Sequence, residues 1–312
     1  MRRLSLLTVI PLALIATCGT CFSQDKEPPD VIKINTDLVV FDAQVIDKKT
    51  KRVIDDLTKE DFEITDNGVR QQISYFSRDE LPLSIVLLLD VSDSVRPFIH
   101  HIRDGALEAL RRLKLEDQVA VMAFATSASL VQDFTADRDL VSKQIEAATS
   151  AETLGRLTVL AAALDQAAVK MLSASRGSRS VIIVITDNFF ATSAYQQKIV
   201  LTDLFDSGSV VYGLIVNGGN PAAGLRGGAK PGIEPYVEQT GGEILNANEK
   251  NVAAKLALMI DRLRARYVIG FRPTDTTEDG RFRRVGIRTA LPMKKDEKTI
   301  VLTKRGYYFR RR

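Results

Sequence analysis

Between Leu83 and Arg266 the chain repeatedly sets wholly apolar stretches against amphipathic ones. "SIVLLL", "SVIIVIT" and "SVVYGLIV" have no polar face. A strand of that kind needs cover on both sides, as in a parallel sheet with helices above and below. The intervening segments supply the cover. In "RPFIHHIRDGALEALRRL" the residues Ile99, Ile102, Ala106, Leu110 and Leu113 recur at three or four, and in "TVLAAALDQAAVKML" so do Leu160, Leu164, Ala167 and Met171. Further helices are expected in "DRDLVSKQIEAA", "AYQQKIVLTDLFDSG", "IEPYVEQTGG" and "EKNVAAKLALMIDRLRA", further strands in "QVAVMAF" and "ASLVQDF", and an edge strand in "EILNA". Strand–helix alternation predicts an α/β fold with a doubly wound, mostly parallel sheet. Ligands of such folds bind at the carboxyl ends of the strands.

The flanks follow a different pattern. "DLVVFDAQVID" alternates toward strand, and "DFEITDNGVRQQISYF" reads as two strands around Asp66-Asn67-Gly68, a strong hairpin signal. After Arg266 strands return in "RYVIGFRP", "RFRRVGIRTA" and "KTIVLTKRGYYF", with a turn near Glu278-Asp279-Gly280. So few strands at each end do not make two cores. The economical solution is one small β-module built from both ends, residues 37–80 and 266–312, with an α/β domain at 82–265 inserted between them. The glycine-rich "NGGNPAAGLRGGAKPG" is expected to be a mobile loop.

Residues 1–24 join a basic start, "MRR", to an apolar run and a small, polar "TCGTCFSQ". That is the pattern of a secretory signal peptide, with cleavage expected between Cys18 and Gln24. Two alternatives stay open: a retained membrane anchor, and lipidation of Cys18, since "LIATC" loosely resembles a lipoprotein cleavage box with Thr17 a poor fit. Both cysteines lie in this segment, so the exported chain would lack disulfides and thiolate metal sites. Residues 25–36, with Pro28-Pro29, read as a disordered lead-in. Residues 261–312 hold 16 Lys/Arg against 6 Asp/Glu, while 4–260 carry a net −8. The basic end is read as solvated strands in preference to a surface for anionic partners. An exported chain without a recognisable nucleic-acid motif argues against nucleic acid as a partner.

The chemistry concentrates at strand exits. Asp90, Ser92 and Ser94 follow the first apolar strand, and alternate positions of a turning loop converge on one point. One carboxylate and two hydroxyls suit a hard cation such as Mg²⁺. The alternative is helix capping, the ordinary duty of Ser and Asp at such turns. Asp187 stands at the exit of a second apolar strand. Thr158 precedes a helix, after a loop with Gly155, and alone would read as its cap. Other chemistries lack their parts. His100 and His101 are adjacent on one expected helix, and there is no Gly-x-Ser-x-Gly elbow or phosphate loop. A haloacid-dehalogenase-like phosphotransferase needs a second carboxylate two residues after its aspartate, where this chain has Ser92.

The order Asp-x-Ser-x-Ser, then Thr, then Asp resembles the von Willebrand factor A domain and its metal-ion-dependent adhesion site. The resemblance spans about residues 82–265. The flanks "LTKEDFEITDNGVRQQISYF" and "RYVIGFRP…KRGYYF" are similar to exported, acidobacterial proteins related to that domain. The resemblance implies that Asp90, Ser92 and Ser94 ligate a metal from one loop, Thr158 from a second and Asp187, often through water, from a third. It implies Mg²⁺, with Mn²⁺ or Ca²⁺ as substitutes, and one open position for the Glu or Asp of a protein or matrix partner. The implied function is non-enzymatic adhesion in the periplasm, at the cell surface or after secretion, with peripheral envelope association open. The runner-up is a structural envelope scaffold without a working metal site. Some relatives couple affinity to a slide of the last helix, here "VAAKLALMIDRL". The chain departs from the family in three places: Asn188 stands where glycine usually follows the third-loop aspartate, Arg156 lies two residues before Thr158, and Asp93 either faces outward or adds charge.

Overall fold

The computed structural model describes residues 38–150, 158–174, 177–188, 194–216, 232–277, 280–290 and 299–309. The leader, the lead-in, the loop with Gly155 and Arg156, the glycine-rich loop and the Glu278-Asp279 turn lie outside them. Among the described residues no helix is long and apolar enough to cross a membrane.

The central sheet holds six strands: β6 (Leu83–Asp90), β7 (Gln118–Phe124), β8 (Ala128–Thr135), β9 (Arg179–Thr186), β10 (Val210–Val216) and β11 (Ile244–Ala247). Their order is β11-β10-β9-β6-β7-β8, and only β8 runs antiparallel to its neighbour. All eight residues of β6 are buried, because alternate side chains enter different cores. Leu83, Ile85, Leu87 and Leu89 pack with α1 (Ile99–Leu110), α2 (Arg138–Ser150) and α6 (Val252–Arg264). Val86 and Leu88 pack with α3 (Leu160–Met171), α4 (Ala194–Asp206) and α5 (Glu234–Thr240). The predicted doubly wound sheet is therefore present, with β11 at its edge. From β6 the chain steps outward through β7 to β8, then returns to β9 on the other side. The switch point thus falls at β6, and its crevice opens where β6 and β9 end.

The strands of the two flanks share one core. One sheet runs β14 (Thr299–Thr303), β1 (Val39–Asp47), β12 (Tyr267–Phe271), β5 (Ile73–Ser77), with β2 (Val53–Ile54) beside β1. The other runs β15 (Gly306–Tyr308), β13 (Phe282–Thr289), β3 (Phe62–Asp66), β4 (Val69–Gln71). Phe41, Ile64, Phe271, Val285 and Tyr307 meet between them. The hairpin turn has Asn67 at φ +46° and Gly68 at φ +84°, the left-handed pair that a two-residue turn requires.

Several boundaries differ from expectation. The second arm of the hairpin breaks at Gln72: β4 stays with β3, while β5 crosses to pair with β12. "KTIVLTKRGYYF" likewise splits at Lys304-Arg305 into β14 and β15, in different sheets. The first helix begins at Ile99, after a tight 3₁₀ turn at Arg96–Phe98 that holds Pro97. The basic carboxyl-terminal strands are only half solvated. Arg284 and Arg288 face water, but Arg283 takes an inward position of β13, and Arg266 is buried. Arg283 is satisfied by the Asp275 and Thr277 carbonyls, the Asp66 carboxylate at 3.7 Å and the face of Phe309.

Candidate metal-binding site

Four of the candidate residues lie at the carboxyl ends of β6 and β9, and the fifth, Thr158, lies just before α3 on the connection from α2. Asp90 ends β6 and is fully buried. Val91 N–H donates to the Phe124 carbonyl of β7 at 2.9 Å, which keeps the chain against the sheet for one more residue. It then turns sharply: Ser92 N–H donates to Asp90 Oδ1 at 3.0 Å, and Val95 N–H to the Ser92 carbonyl at 3.1 Å. This turn brings Ser92 Oγ to 3.2 Å from Ser94 Oγ. Ser92 is buried and Ser94 exposed, so the pair leads from the interior to the surface.

Capping does not account for these side chains. The residue that caps α1 is Phe98, and the one that caps the 3₁₀ turn is Val95; neither end has a side-chain capping bond. At α3 the capping position falls on Val159, not Thr158, and again no side-chain capping bond forms. Thr158 is half-buried and held at the same edge through backbone, because Val159 N–H donates to the Ala125 carbonyl just past β7 at 2.8 Å.

The third loop is tied directly to the first. Thr186, the fully buried last residue of β9, donates its hydroxyl to Asp90 Oδ2 at 2.6 Å. Thr186 Oγ1 in turn accepts Asn188 N–H at 3.1 Å. Asp187, half-buried between them, is near enough for its charge to act on Asp90. Asn188 does adopt the left-handed conformation, φ +61°, that glycine would. Its amide does what glycine cannot: Oδ1 accepts Ile233 N–H at 2.9 Å, and Nδ2 donates to Glu234 Oε1 at 2.9 Å. Gly232 lies beneath this clasp, where a Cβ would run into both the Asn188 amide and the Glu234 carboxylate.

The electrostatics suit a cation. Burial pushes the Asp90 carboxyl up to about 6; the bonds from Ser92 and Thr186 oppose the shift, and the charge of Asp187 adds to it. Among the described residues no group of three or more His, Cys, Asp or Glu side chains is placed to hold a metal. The candidate set instead combines two carboxylates with three hydroxyls, all oxygen, as hard cations require. In an octahedral shell at about 2.1 Å, adjacent ligand oxygens lie about 3 Å apart. The Ser92–Ser94 separation matches that edge. Asp93 faces outward and pairs with Arg96 at 3.3 Å.

Thr186, Asn188 and Glu234 complete the surroundings and were not among the residues expected from sequence to act here, beyond the tolerance of Asn188 for its turn. A hydroxyl closing an otherwise apolar strand, just before an aspartate, was the available signal for Thr186.

Residues 85–189 match the family model described as von Willebrand factor type A domain. No curated protein matches the chain. Among solved structures, an aerotolerance-related membrane protein from Bacteroides fragilis NCTC 9343, with multiple mutations to serines, is 16% identical with a TM-score of 0.45, covering 58% of this chain and 98% of that one. The conserved hypothetical protein BatB from Bacteroides thetaiotaomicron is 16% identical with a TM-score of 0.46, over 58% and 98%. Proximal thread matrix protein 1 from the mussel byssus, with a zinc-occupied MIDAS motif, is 16% identical with a TM-score of 0.48, over 59% and 48%. The family match covers the stretch from β6 to the exit of β9, which holds all five candidate residues, and this part of the chain is similar to a von Willebrand factor type A domain.

Proposed function

We propose that this protein is an exported, non-enzymatic binding module that uses a divalent cation to engage an acidic side chain of a protein or matrix partner. The α/β part, residues 82–265, is the binding unit, mounted in the β-module of 37–80 and 266–312. In this reading Asp90, Ser92, Ser94, Thr158 and Asp187 hold Mg²⁺, with Mn²⁺ or Ca²⁺ as substitutes. Bound Mg²⁺ would supply a concentrated positive charge with a position open to a carboxylate. The residues do the rest. Thr186 and Ser92 N–H fix the Asp90 carboxylate, the turn pairs the two serine hydroxyls, and Asn188 holds the loop of Asp187 against α5.

The observation that carries the reading is Asp90. It is a carboxylate buried at the switch point, shifted toward protonation by desolvation, beside two hydroxyls at the spacing of adjacent ligands. A cation relieves that arrangement, and a scaffold has no need of it. Adhesion is preferred to phosphoryl transfer because Ser92 stands where that chemistry needs a carboxylate. Export rests on the leader-like residues 1–24.

Calorimetric titration with Mg²⁺ and Mn²⁺ tests the site. Wild type should bind and Asp90→Ala should not. Equal behaviour of the two, or none in wild type, leaves the scaffold reading. A pull-down from the native envelope with and without chelator then tests the partner, which should be lost on chelation. Turnover of a generic phosphate ester would move the protein to the enzyme class.

A further inference from the structure

Helix α5 touches the candidate site at one end and the β-module at the other. At its start, Asn188 holds both Ile233 N–H and the Glu234 carboxylate. At its finish, Gly241 adopts φ +78° and lies so close to the Thr303 backbone that a Cβ there would overlap it. Arg305 N–H, between β14 and β15, donates to the Gln239 carbonyl at 2.9 Å. The buried Arg266 guanidinium binds the Gly241 carbonyl at 3.1 Å and the Leu302 carbonyl at 3.2 Å, so one side chain ties the helix end to β14. Between these ends α5 is a short, stiff body, about 10 Å long at 1.5 Å per residue. Ile233, Tyr236 and Val237 anchor it in the core, and the Thr240 hydroxyl accepts Val211 N–H of β10 at 2.9 Å.

We infer that α5 couples metal occupancy to the docking of the carboxyl-terminal strands. Holding Asp187 on a cation fixes the adjacent Asn188, hence the start of α5, hence the seat on which the Thr303–Arg305 corner rests. Coupling is reciprocal, so anything that lifts that corner, such as tension on the carboxyl terminus, weakens cation binding by the same factor. The inference rests on the proposed metal site but concerns residues outside the ligand set.

Hydrogen exchange on the full chain, with Mg²⁺ and with chelator, tests it. In wild type the Arg305 amide should exchange at least about fivefold more slowly with Mg²⁺, the lower end of usual coupling. Asn188→Gly keeps the left-handed turn but removes both clasp bonds. It should bind Mg²⁺ more weakly, by calorimetry, and at saturating Mg²⁺ the slowing at Arg305 should disappear. Glu234→Gln keeps an acceptor for Asn188 and should retain the slowing. Mg²⁺ binding with unchanged exchange at Arg305, or slowing that persists in Asn188→Gly, overturns the coupling and leaves the metal site intact. Absence of Mg²⁺ binding by wild type removes both.

Discussion

The hydroxyl of Thr186 is the smallest group on which much of the site depends. Thr186→Val removes it while nearly preserving shape. In wild type it donates to Asp90 Oδ2 at 2.6 Å and accepts Asn188 N–H at 3.1 Å. The first bond serves a charged, fully buried acceptor, and such bonds contribute about 1.5–3 kcal/mol. The second leaves a half-buried N–H without its acceptor, at about 1 kcal/mol. In chelated protein the loss should therefore be about 3 kcal/mol, read as a lower urea midpoint with an unchanged slope. In the proposed site Asp90 holds the cation, and removing a group that orients a metal ligand typically changes metal affinity about 10- to 100-fold. Mn²⁺ titration of Thr186→Val should show a loss of that order, and Thr186→Ser should recover most of both effects. If Thr186→Val is as stable as wild type, the bond to Asp90 does not form. If it is destabilised but binds Mn²⁺ with wild-type affinity, the orienting role assigned to Thr186 is wrong.

Other perturbations read different parts of the molecule. Arg266→Met strips donors from Tyr212 Oη, bonded at 2.7 Å, and from the Gly241 and Leu302 carbonyls, and should cost about 3 kcal/mol in urea unfolding; an unchanged midpoint would contradict its place in the junction. Burial, then the neighbouring Asp165 carboxyl, raises the Asp203 carboxyl to about 6. The folded state thus binds this proton more tightly than the unfolded, so its contribution is fullest below pH 4 and is lost as pH rises toward 6. The group is partly exposed, so solvent screening limits this to about 1 kcal/mol. In Asp203→Asn that slope should vanish from denaturation curves measured between pH 4 and 7. A Cβ on Gly105 of α1 would come within 2.5 Å of Val252 Cγ1, so Gly105→Ala should push α6 outward and lower stability by about 1–3 kcal/mol, with no loss if α6 slides freely.

Much of this architecture was legible residue by residue. Strand β6 has no polar face, and only a sheet covered on both sides tolerates that, so the α/β class followed from "SIVLLL" and its relatives. Asn67-Gly68 announced its turn because few residue pairs accept two positive φ angles in succession. Asp90, Ser92 and Ser94 were readable as a group because they are consecutive alternate positions in one loop, and local backbone geometry alone brings them together. Asp187 was readable because it ends a strand of the same apolar kind. Thr186 was hidden, since a threonine in a strand looks like ordinary β-propensity until the register of β9 against β6 is known. The clasp between Asn188 and Glu234 was hidden for the same reason, because it joins residues 46 apart through the placement of α5.

Arg266 and Arg283 mark the boundary most clearly. From sequence, a basic, alternating tail reads as solvated strands, and for Arg284 and Arg288 that is correct. The buried arginines are explained by their partners: the nearby Asp275 and Thr277 carbonyls and the distant Asp66 for Arg283, and the distant carbonyls of Gly241 and Leu302 for Arg266. Periodicity determined by itself which elements would form and which strand exits would carry oxygen donors, because hydrophobic burial acts through local repeat. Which strands lie side by side, which helix braces which loop and which charges are drawn inside were decided by tertiary contact. Those choices depend on groups far apart in the chain that only the assembled sheets bring within bonding distance.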